Sequence, residues 1–143
     1  MRKYISIIAV VLLLMAAGIG LKMTVFNQSN SKEIIEKTTI NYLENSLAYN
    51  FTEAKKVSTG EALEAINLVE SYLAYSKMAA TVKSVSIIDI STTHNTAQVQ
   101  AKIVRDVQAG EILETENRLL LVELVNLNGE WYVYNSTVLK MGA

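Results

Sequence analysis

LVNLNGEWYVYNSTV, residues 124–138, contains the clearest turn signal in the chain. Asn128-Gly129 favours a type I′ turn, because both central positions of that turn need a positive φ. The apolar run Leu119–Val125 leads into the turn, and Trp131–Tyr134 follows it. This stretch therefore predicts an antiparallel β-hairpin.

Further strands are predicted before this hairpin. Val82–Ser91 is rich in Val and Ile, and a second run alternates apolar with polar residues, as a half-buried strand does, at Ala97, Val99, Ala101 and Ile103. Val107–Glu116 leaves two interpretations open, a hairpin around Ala109-Gly110 or an extension of the flanking strands. Together with the hairpin, these runs predict about four strands joined by short turns.

Helical periodicity precedes the strands. Apolar residues spaced by three or four predict an amphipathic helix over residues 30–50 and a second over residues 58–78, which opens with Ser58 and Glu61 as a start signal. Residues 52–59 are a connection or a short extra turn. The predicted fold class is α+β, with two amphipathic helices packed on a curved antiparallel sheet of about four strands.

The N-terminal segment predicts export across a membrane. Arg2 and Lys3 precede an uncharged apolar run, Tyr4–Leu21, whose helical length of about 27 Å is close to the roughly 30 Å hydrocarbon core. We therefore expect residues 1–26 to be a single-pass transmembrane helix with a cytoplasmic N-terminus. The alternative is a signal peptide cleaved after Gly18, which leads to secretion.

Composition limits what the exported part does. Residues 27–31 are predicted as a linker, and residues 32–143 as one extracytoplasmic α+β domain. All fourteen acidic residues but only ten of the thirteen Lys and Arg follow residue 31, so the domain's formal charge is −4. An acidic domain without a basic run is a poor nucleic-acid binder. The absence of cysteine excludes disulfides and favours a bacterial cell envelope.

The sequence offers few groups for catalysis. His94, the only histidine, lies in a predicted polar turn, and Asp89 is expected on the solvent face of its strand. The carboxylates at 106, 111, 114 and 116 are expected to be solvated edge charges. With no cysteine and one histidine, a tetrahedral zinc site is excluded. The prediction is therefore no enzyme, no cofactor and no metal.

Aromatic side chains are the best candidates for contacts with a partner or ligand. The candidate set is Tyr49, Tyr72, Trp131, Tyr132 and Tyr134. Aromatic residues fill cores, line apolar pockets and are favoured at the centres of interfaces. Trp131 and Tyr132 are adjacent in a strand, so one of them should face away from the core.

This order of elements, ending in a hairpin with Asn128, Gly129 and Trp131, resembles the nuclear-transport-factor-2-like superfamily over about residues 31–143. The resemblance implies helices first and long antiparallel strands last. The superfamily includes enzymes, non-catalytic scaffolds and ligand binders, so the fold does not choose among these functions. With its anchor, the chain is similar to the extracytoplasmic domains of conjugation-channel scaffold proteins.

Three functions remain open at this point. The first is a membrane-anchored, non-enzymatic domain that assembles with itself or with other envelope proteins. The second is a binding module whose cavity holds a small apolar or amphipathic ligand. The third is a pilin-like filament subunit, in which an apolar N-terminal helix also precedes a sheet.

Overall fold

Three helices precede the sheet in the computed structural model, which describes residues 30–142. Helix α1 covers residues 30–47, α2 covers Phe51–Lys56 and α3 covers Gly60–Leu73. The two predicted amphipathic helices are confirmed as α1 and α3, and α2 is a further short helix in the stretch left as a connection. The predicted anchor, residues 1–26, lies outside the described residues. Among the described residues, no helix is long and apolar enough to cross a membrane.

Four long strands form one curved antiparallel sheet, as predicted. They are β1 (Met78–Thr92), β2 (Thr96–Ala109), β3 (Ile112–Leu127) and β4 (Glu130–Gly142). The strands lie side by side in chain order and every neighbour is antiparallel. Both interpretations of Val107–Glu116 are correct together, because β2 and β3 extend through it and meet at a tight turn, where Gly110 has a φ of 63°.

Helix α3 differs from its predicted bounds at both ends. The Ser58 hydroxyl donates to the Ala54 carbonyl oxygen at 2.6 Å, so it does not cap α3. The N-cap is Thr59, which makes no side-chain capping bond. The helix ends at Leu73, five residues before the predicted end, because the backbone N–H and the hydroxyl of Ser76 both donate to the Leu73 carbonyl oxygen, at 3.0 and 3.1 Å.

The core lies between the helices and one face of the sheet, called here the inner face. The predicted alternation on β2 is confirmed, since its apolar residues from Ala97 to Ile103 are buried while the polar residues between them are exposed. The other buried residues of the inner face are Leu120, Val122, Leu124, Trp131 and Val133, and the helices add Ile35, Leu43, Ala62 and Ile66. A single layer of helices thus covers one side of the sheet.

The connection between α2 and α3 is fixed to the edge of the sheet. The Val133 N–H donates to the Val57 carbonyl oxygen at 2.9 Å, and the Thr59 N–H donates to the Val133 carbonyl oxygen at 2.8 Å. These bonds use backbone groups that an edge strand otherwise leaves unpaired. They also fix where α3 begins relative to β4.

The β3–β4 turn has the predicted geometry. Asn128 has a φ of 55° and Gly129 a φ of 92°, as a type I′ turn requires. The Asn126 side-chain oxygen accepts a hydrogen bond from the Gly129 N–H at 2.9 Å. The turn sets the register that places Trp131 opposite Asn126 and turns its ring towards the core.

Candidate functional site

A cavity of about 240 Å³ lies between α1, α3 and the inner face of the sheet. Its walls are largely aromatic and aliphatic, and two arginines from neighbouring strands also line it. The lining residues that matter here are Tyr42, Tyr49, Phe51, Val69, Arg105 and Arg118. A mainly apolar cavity with a few polar groups is the usual form of a small-molecule site.

Arg105 is buried on β2, in phase with the apolar residues of that strand. It is 5% exposed. Its Nε donates to Glu116 Oε2 at 2.8 Å, and its Nη1 donates to the Leu47 carbonyl oxygen at 2.8 Å. The guanidinium carbon lies 5.7 Å from the centre of the Tyr49 ring, within the range of a cation–π contact. Arg105 therefore connects β2 to β3 and to the C-terminal turn of α1.

Arg118 shares the same carboxylate. The antiparallel register places Arg105 opposite Glu116, and Arg118 Nη2 lies 2.8 Å from the same Glu116 oxygen. Arg118 Nε is buried and has no hydrogen-bond partner among the described residues. The cluster of Arg105, Glu116 and Arg118, called here the arginine cluster, therefore holds two positive charges and one negative charge.

The arginine cluster keeps Glu116 ionised. Burial raises the pKa of the Glu116 carboxyl, but the hydrogen bond from Arg105 and the charges of Arg105 and Arg118 outweigh burial and lower it below the ordinary value. A carboxylate held between two guanidinium groups is a weak proton acceptor at neutral pH. This arrangement is suited to holding an anion in place rather than to moving a proton.

Tyr49 reaches the cavity through an unusual backbone conformation. Its φ is 63°, in the left-handed region that costs a non-glycine residue roughly 1–2 kcal/mol. The conformation closes α1, because the Asn50 N–H donates to the Asn45 carbonyl oxygen at 2.8 Å and the Tyr49 N–H to that of Ser46 at 3.3 Å. The ring lies 5.9 Å from the Phe51 ring, centre to centre. Backbone strain is thus located at the wall of the cavity.

The five aromatic residues singled out from the sequence do not form one site. Tyr49 lines the cavity. Tyr72 is 78% exposed on α3, and Trp131 is buried in the core. Tyr132 and Tyr134 are half-buried on β4. The Tyr132 hydroxyl donates to Glu130 Oε2 at 2.5 Å. Burial raises the pKa of Tyr134, and the charge of Glu123 raises it further.

Helix α3 carries a second apolar surface that faces away from the core. Leu68, Tyr72 and Tyr75 are 72%, 78% and 97% exposed. Their spacing of four and three residues places them along one side of the helix and its C-terminal extension. Ala62 and Ile66 on another side are buried. Leu68, Tyr72 and Tyr75 are called here the α3 stripe.

The remaining charged candidates lie outside the cavity. His94 is exposed in the turn between β1 and β2, and Asp89 is exposed on β1. Glu111 and Glu114 are exposed, as expected of solvated charges, whereas Glu116 differs from that expectation because it joins the arginine cluster. Within residues 30–142, no group of three or more His, Cys, Asp or Glu side chains is arranged to hold a metal ion.

Sequence reasoning missed the two arginines, and the sequence contained a signal for Arg105 alone. Arg105 is two residues beyond Ile103 in the alternation that predicts the inner face of β2. Arg118 precedes the nearly continuous apolar run Leu119–Val125, which shows no alternation, so its inward position is visible only in the structure. A charged residue in phase with buried apolar neighbours indicates a buried ion pair or a site.

Comparison with known proteins shows the fold. No protein-family model and no curated protein sequence matches this chain. Among solved structures, a candidate dehydratase of the NTF2-like family from Streptomyces avermitilis superposes with a TM-score of 0.62 at 8% identity, over 77% of this chain and 96% of that one. A ketosteroid isomerase-like protein from Erwinia carotovora atroseptica gives 0.55 at 15% identity, over 76% and 95%.

A third similar structure is a region of a chloroplast protein. The intermembrane space region of the chloroplast protein ARC6 superposes with a TM-score of 0.59 at 13% identity, over 77% of this chain and 94% of that one. These likenesses, together with the cavity between helices and curved sheet, show an NTF2-like fold. The fold alone does not assign an activity, since unrelated functions share it.

Proposed function

We propose that this chain is a single-pass, membrane-anchored protein whose extracytoplasmic, NTF2-like domain assembles with partner proteins of the bacterial cell envelope or with a second copy of itself. The observation that carries the proposal is the α3 stripe. Its three large side chains are each more than 70% exposed, along one side of α3 and its C-terminal extension. The apolar run Tyr4–Leu21 and the two cations before it support export and anchoring.

The chemistry of the α3 stripe suits protein contacts. Tyrosine provides a large apolar area with a polar tip and is enriched at interface centres. Contiguous apolar surface that remains exposed on a folded domain marks an interaction site more often than an isolated apolar residue does. The likeness to the intermembrane space region of ARC6 supports a place for this fold beside a membrane.

A non-enzymatic role is the second part of the proposal. The cavity lining contributes two guanidinium groups, and the carboxylate between them has a lowered pKa, which disfavours general-base catalysis. Neither the exposed His94 nor the exposed Asp89 lines this cavity. The proposal therefore assigns no proton transfer to these residues and no cofactor to the domain.

Removing the α3 stripe is expected to abolish the partner contact without unfolding the domain. The variant Leu68→Ser, Tyr72→Ser, Tyr75→Ser should lose the crosslinked product that the wild type gives in intact cells. Exposed side chains contribute little to stability, so the free energy of unfolding should change by no more than about 1 kcal/mol. The matched control Ile112→Ser, Leu113→Ser removes two side chains that are 62% and 65% exposed on β3 and should keep the product.

The crosslinking results show whether docking uses α3. Loss of the product in the stripe variant alone supports docking through α3. An undiminished product in the stripe variant contradicts it. The mass of the crosslinked product distinguishes self-association from a contact with another envelope protein.

The orientation of the chain is tested by labelling. The natural sequence has no cysteine, so His94→Cys introduces a single thiol in an exposed turn. A membrane-impermeant maleimide is expected to label this thiol in intact spheroplasts. Labelling that appears only after lysis would contradict the extracytoplasmic placement.

The cavity supports a second candidate function, a binding module for a small amphipathic ligand. Tyr49 and Phe51 offer apolar walls, and Arg105 and Arg118 offer hydrogen-bond donors. The excess positive charge of the arginine cluster is the specific observation that favours it. The two functions use different surfaces and are compatible in one domain.

A further inference from the structure

We propose that the cavity binds a small carboxylate-bearing amphiphile, with Arg118 holding the carboxylate and the aromatic wall covering the apolar chain. This inference rests on the second candidate function and is independent of docking through the α3 stripe. Two observations carry it: the charge of the arginine cluster, and the shape and chemistry of the cavity walls.

The charge of the arginine cluster favours an anion. Arg105 and Arg118 share one carboxylate, so one positive charge is left without a counter-charge within the cluster. The side chains of Arg105 and Arg118 are only 6% and 19% exposed, so water screens that charge weakly. A bound carboxylate would complete a balanced set of two guanidinium groups and two carboxylates.

Arg118 is the donor that remains available. Arg105 already uses its Nε on Glu116 and its Nη1 on the Leu47 carbonyl oxygen. Arg118 forms an ion pair with Glu116 through Nη2, and its buried Nε has no partner among the residues described. Because this Nε has almost no accessible surface, a ligand in the cavity would meet the terminal nitrogens of the Arg118 guanidinium group. Carboxylates accept from the planar edge of a guanidinium group with good geometry.

The walls fit a short apolar chain rather than a second charge. Phe51, Ile66 and Val69 provide apolar surface, and Tyr49 adds a ring face held in place by the strained turn after α1. The volume of about 240 Å³ lies below the usual range for drug-sized ligands, which favours a small amphiphile. A medium-chain monocarboxylate combines one anionic head with such a chain.

The test uses the full chain in lipid nanodiscs, with empty nanodiscs as the partitioning control. Sodium octanoate, octan-1-ol and inorganic phosphate are titrated separately while the arginine Nε–Hε resonances are followed by NMR. Octanoate is expected to saturate and to shift the Arg118 resonance, and octan-1-ol is expected to bind about tenfold more weakly because it lacks the anionic head. Equal affinity for octanoate and octan-1-ol would overturn the proposal.

Variants assign the effect to the cavity. Arg118→Gln should weaken octanoate binding about tenfold by removing the charged donor. Val69→Trp enlarges a side chain that lines the cavity and leaves both arginines in place. It should weaken octanoate binding as well, and it keeps the test valid if Arg118→Gln does not fold. Lys77→Gln is the matched control, because Lys77 is exposed between α3 and β1 and does not line the cavity, and it should bind like the wild type.

The other outcomes of the titrations also support or overturn ligand binding in the cavity. Unchanged octanoate affinity in Val69→Trp would overturn the proposal. Phosphate that binds as tightly as octanoate would contradict the role given to the apolar wall. The Leu68→Ser, Tyr72→Ser, Tyr75→Ser variant should retain octanoate binding, so a failure of ligand binding and a failure of assembly are separately visible.

Discussion

Replacing Trp131 by alanine is expected to lower the free energy of unfolding by about 3–5 kcal/mol, the range for removing a large aromatic side chain from a core. Trp131 is 8% exposed and belongs to the same cluster as Leu124 and Val133. It stands immediately after the β3–β4 turn, so its loss leaves a cavity where the hairpin packs against the helices. The loss of unfolding free energy is large because hydrogen bonds hold the neighbouring strands in place, so the strands cannot close around the cavity left by the ring.

The measurement is urea unfolding followed by circular dichroism, since Trp131 is the only tryptophan and its fluorescence is lost in the variant. Tyr132→Ala is the matched control, because Tyr132 is adjacent on β4, half-buried and on the other face. The control should cost about 1 kcal/mol, typical of a substitution outside the core. Equal losses in the two variants would show that Trp131 does not have the core position assigned to it.

The second large effect is expected from Glu116→Gln. Removing one partner of a buried ion pair costs about 3–5 kcal/mol, and here we expect about 3 kcal/mol because the Glu116 side chain is 24% exposed. The variant leaves Arg105 and Arg118 close together without a counter-charge. Glu114→Gln, an exposed change two residues earlier on the same strand, should have little effect. Similar losses in both variants would contradict the arginine cluster as described.

The same carboxylate gives a pH dependence with a defined sign. The pKa of Glu116 is lower in the folded protein than its ordinary value, so the folded state binds this proton less tightly than the unfolded state. The stabilisation from the Glu116 carboxylate is complete above the unfolded pKa of about 4.5 and is lost as the pH falls through the folded pKa. Unfolding curves between neutral pH and strongly acidic pH should therefore converge for wild type and Glu116→Gln. A difference in unfolding free energy between the two proteins that stays constant across that pH range would contradict the lowered pKa of Glu116.

The parts of the fold that follow from local chemistry were predictable. The Asn128-Gly129 turn needs two positive φ angles, and few dipeptides supply them, so the last hairpin could be placed from the sequence. The strict alternation on β2 fixes its buried face, because a shift by one residue would expose every apolar side chain. Helical periodicity predicted α1 and α3, because apolar residues spaced by three or four lie on one face of a helix.

The features that depend on tertiary contacts were not predictable. Ser58 has the form of a helix cap, yet its hydroxyl bonds to Ala54 because α2 precedes it. Tyr49 adopts a left-handed conformation that sequence patterns assign to glycine. The arginine cluster requires the β2–β3 register, which brings Arg105 opposite Glu116. Tyr72 and Trp131 have the same aromatic character in the sequence, and only the packing separates an exposed residue from a buried one.

A photo-crosslinking amino acid at position 72 of the full chain, in its host cell, tests whether the α3 stripe contacts a protein partner beside the membrane. Asp89, exposed on β1, is the matched control position. We expect a discrete crosslinked product from position 72, to an envelope protein or to a second copy, and none from position 89. The absence of a product at position 72, or an equal product at both positions, would contradict that contact.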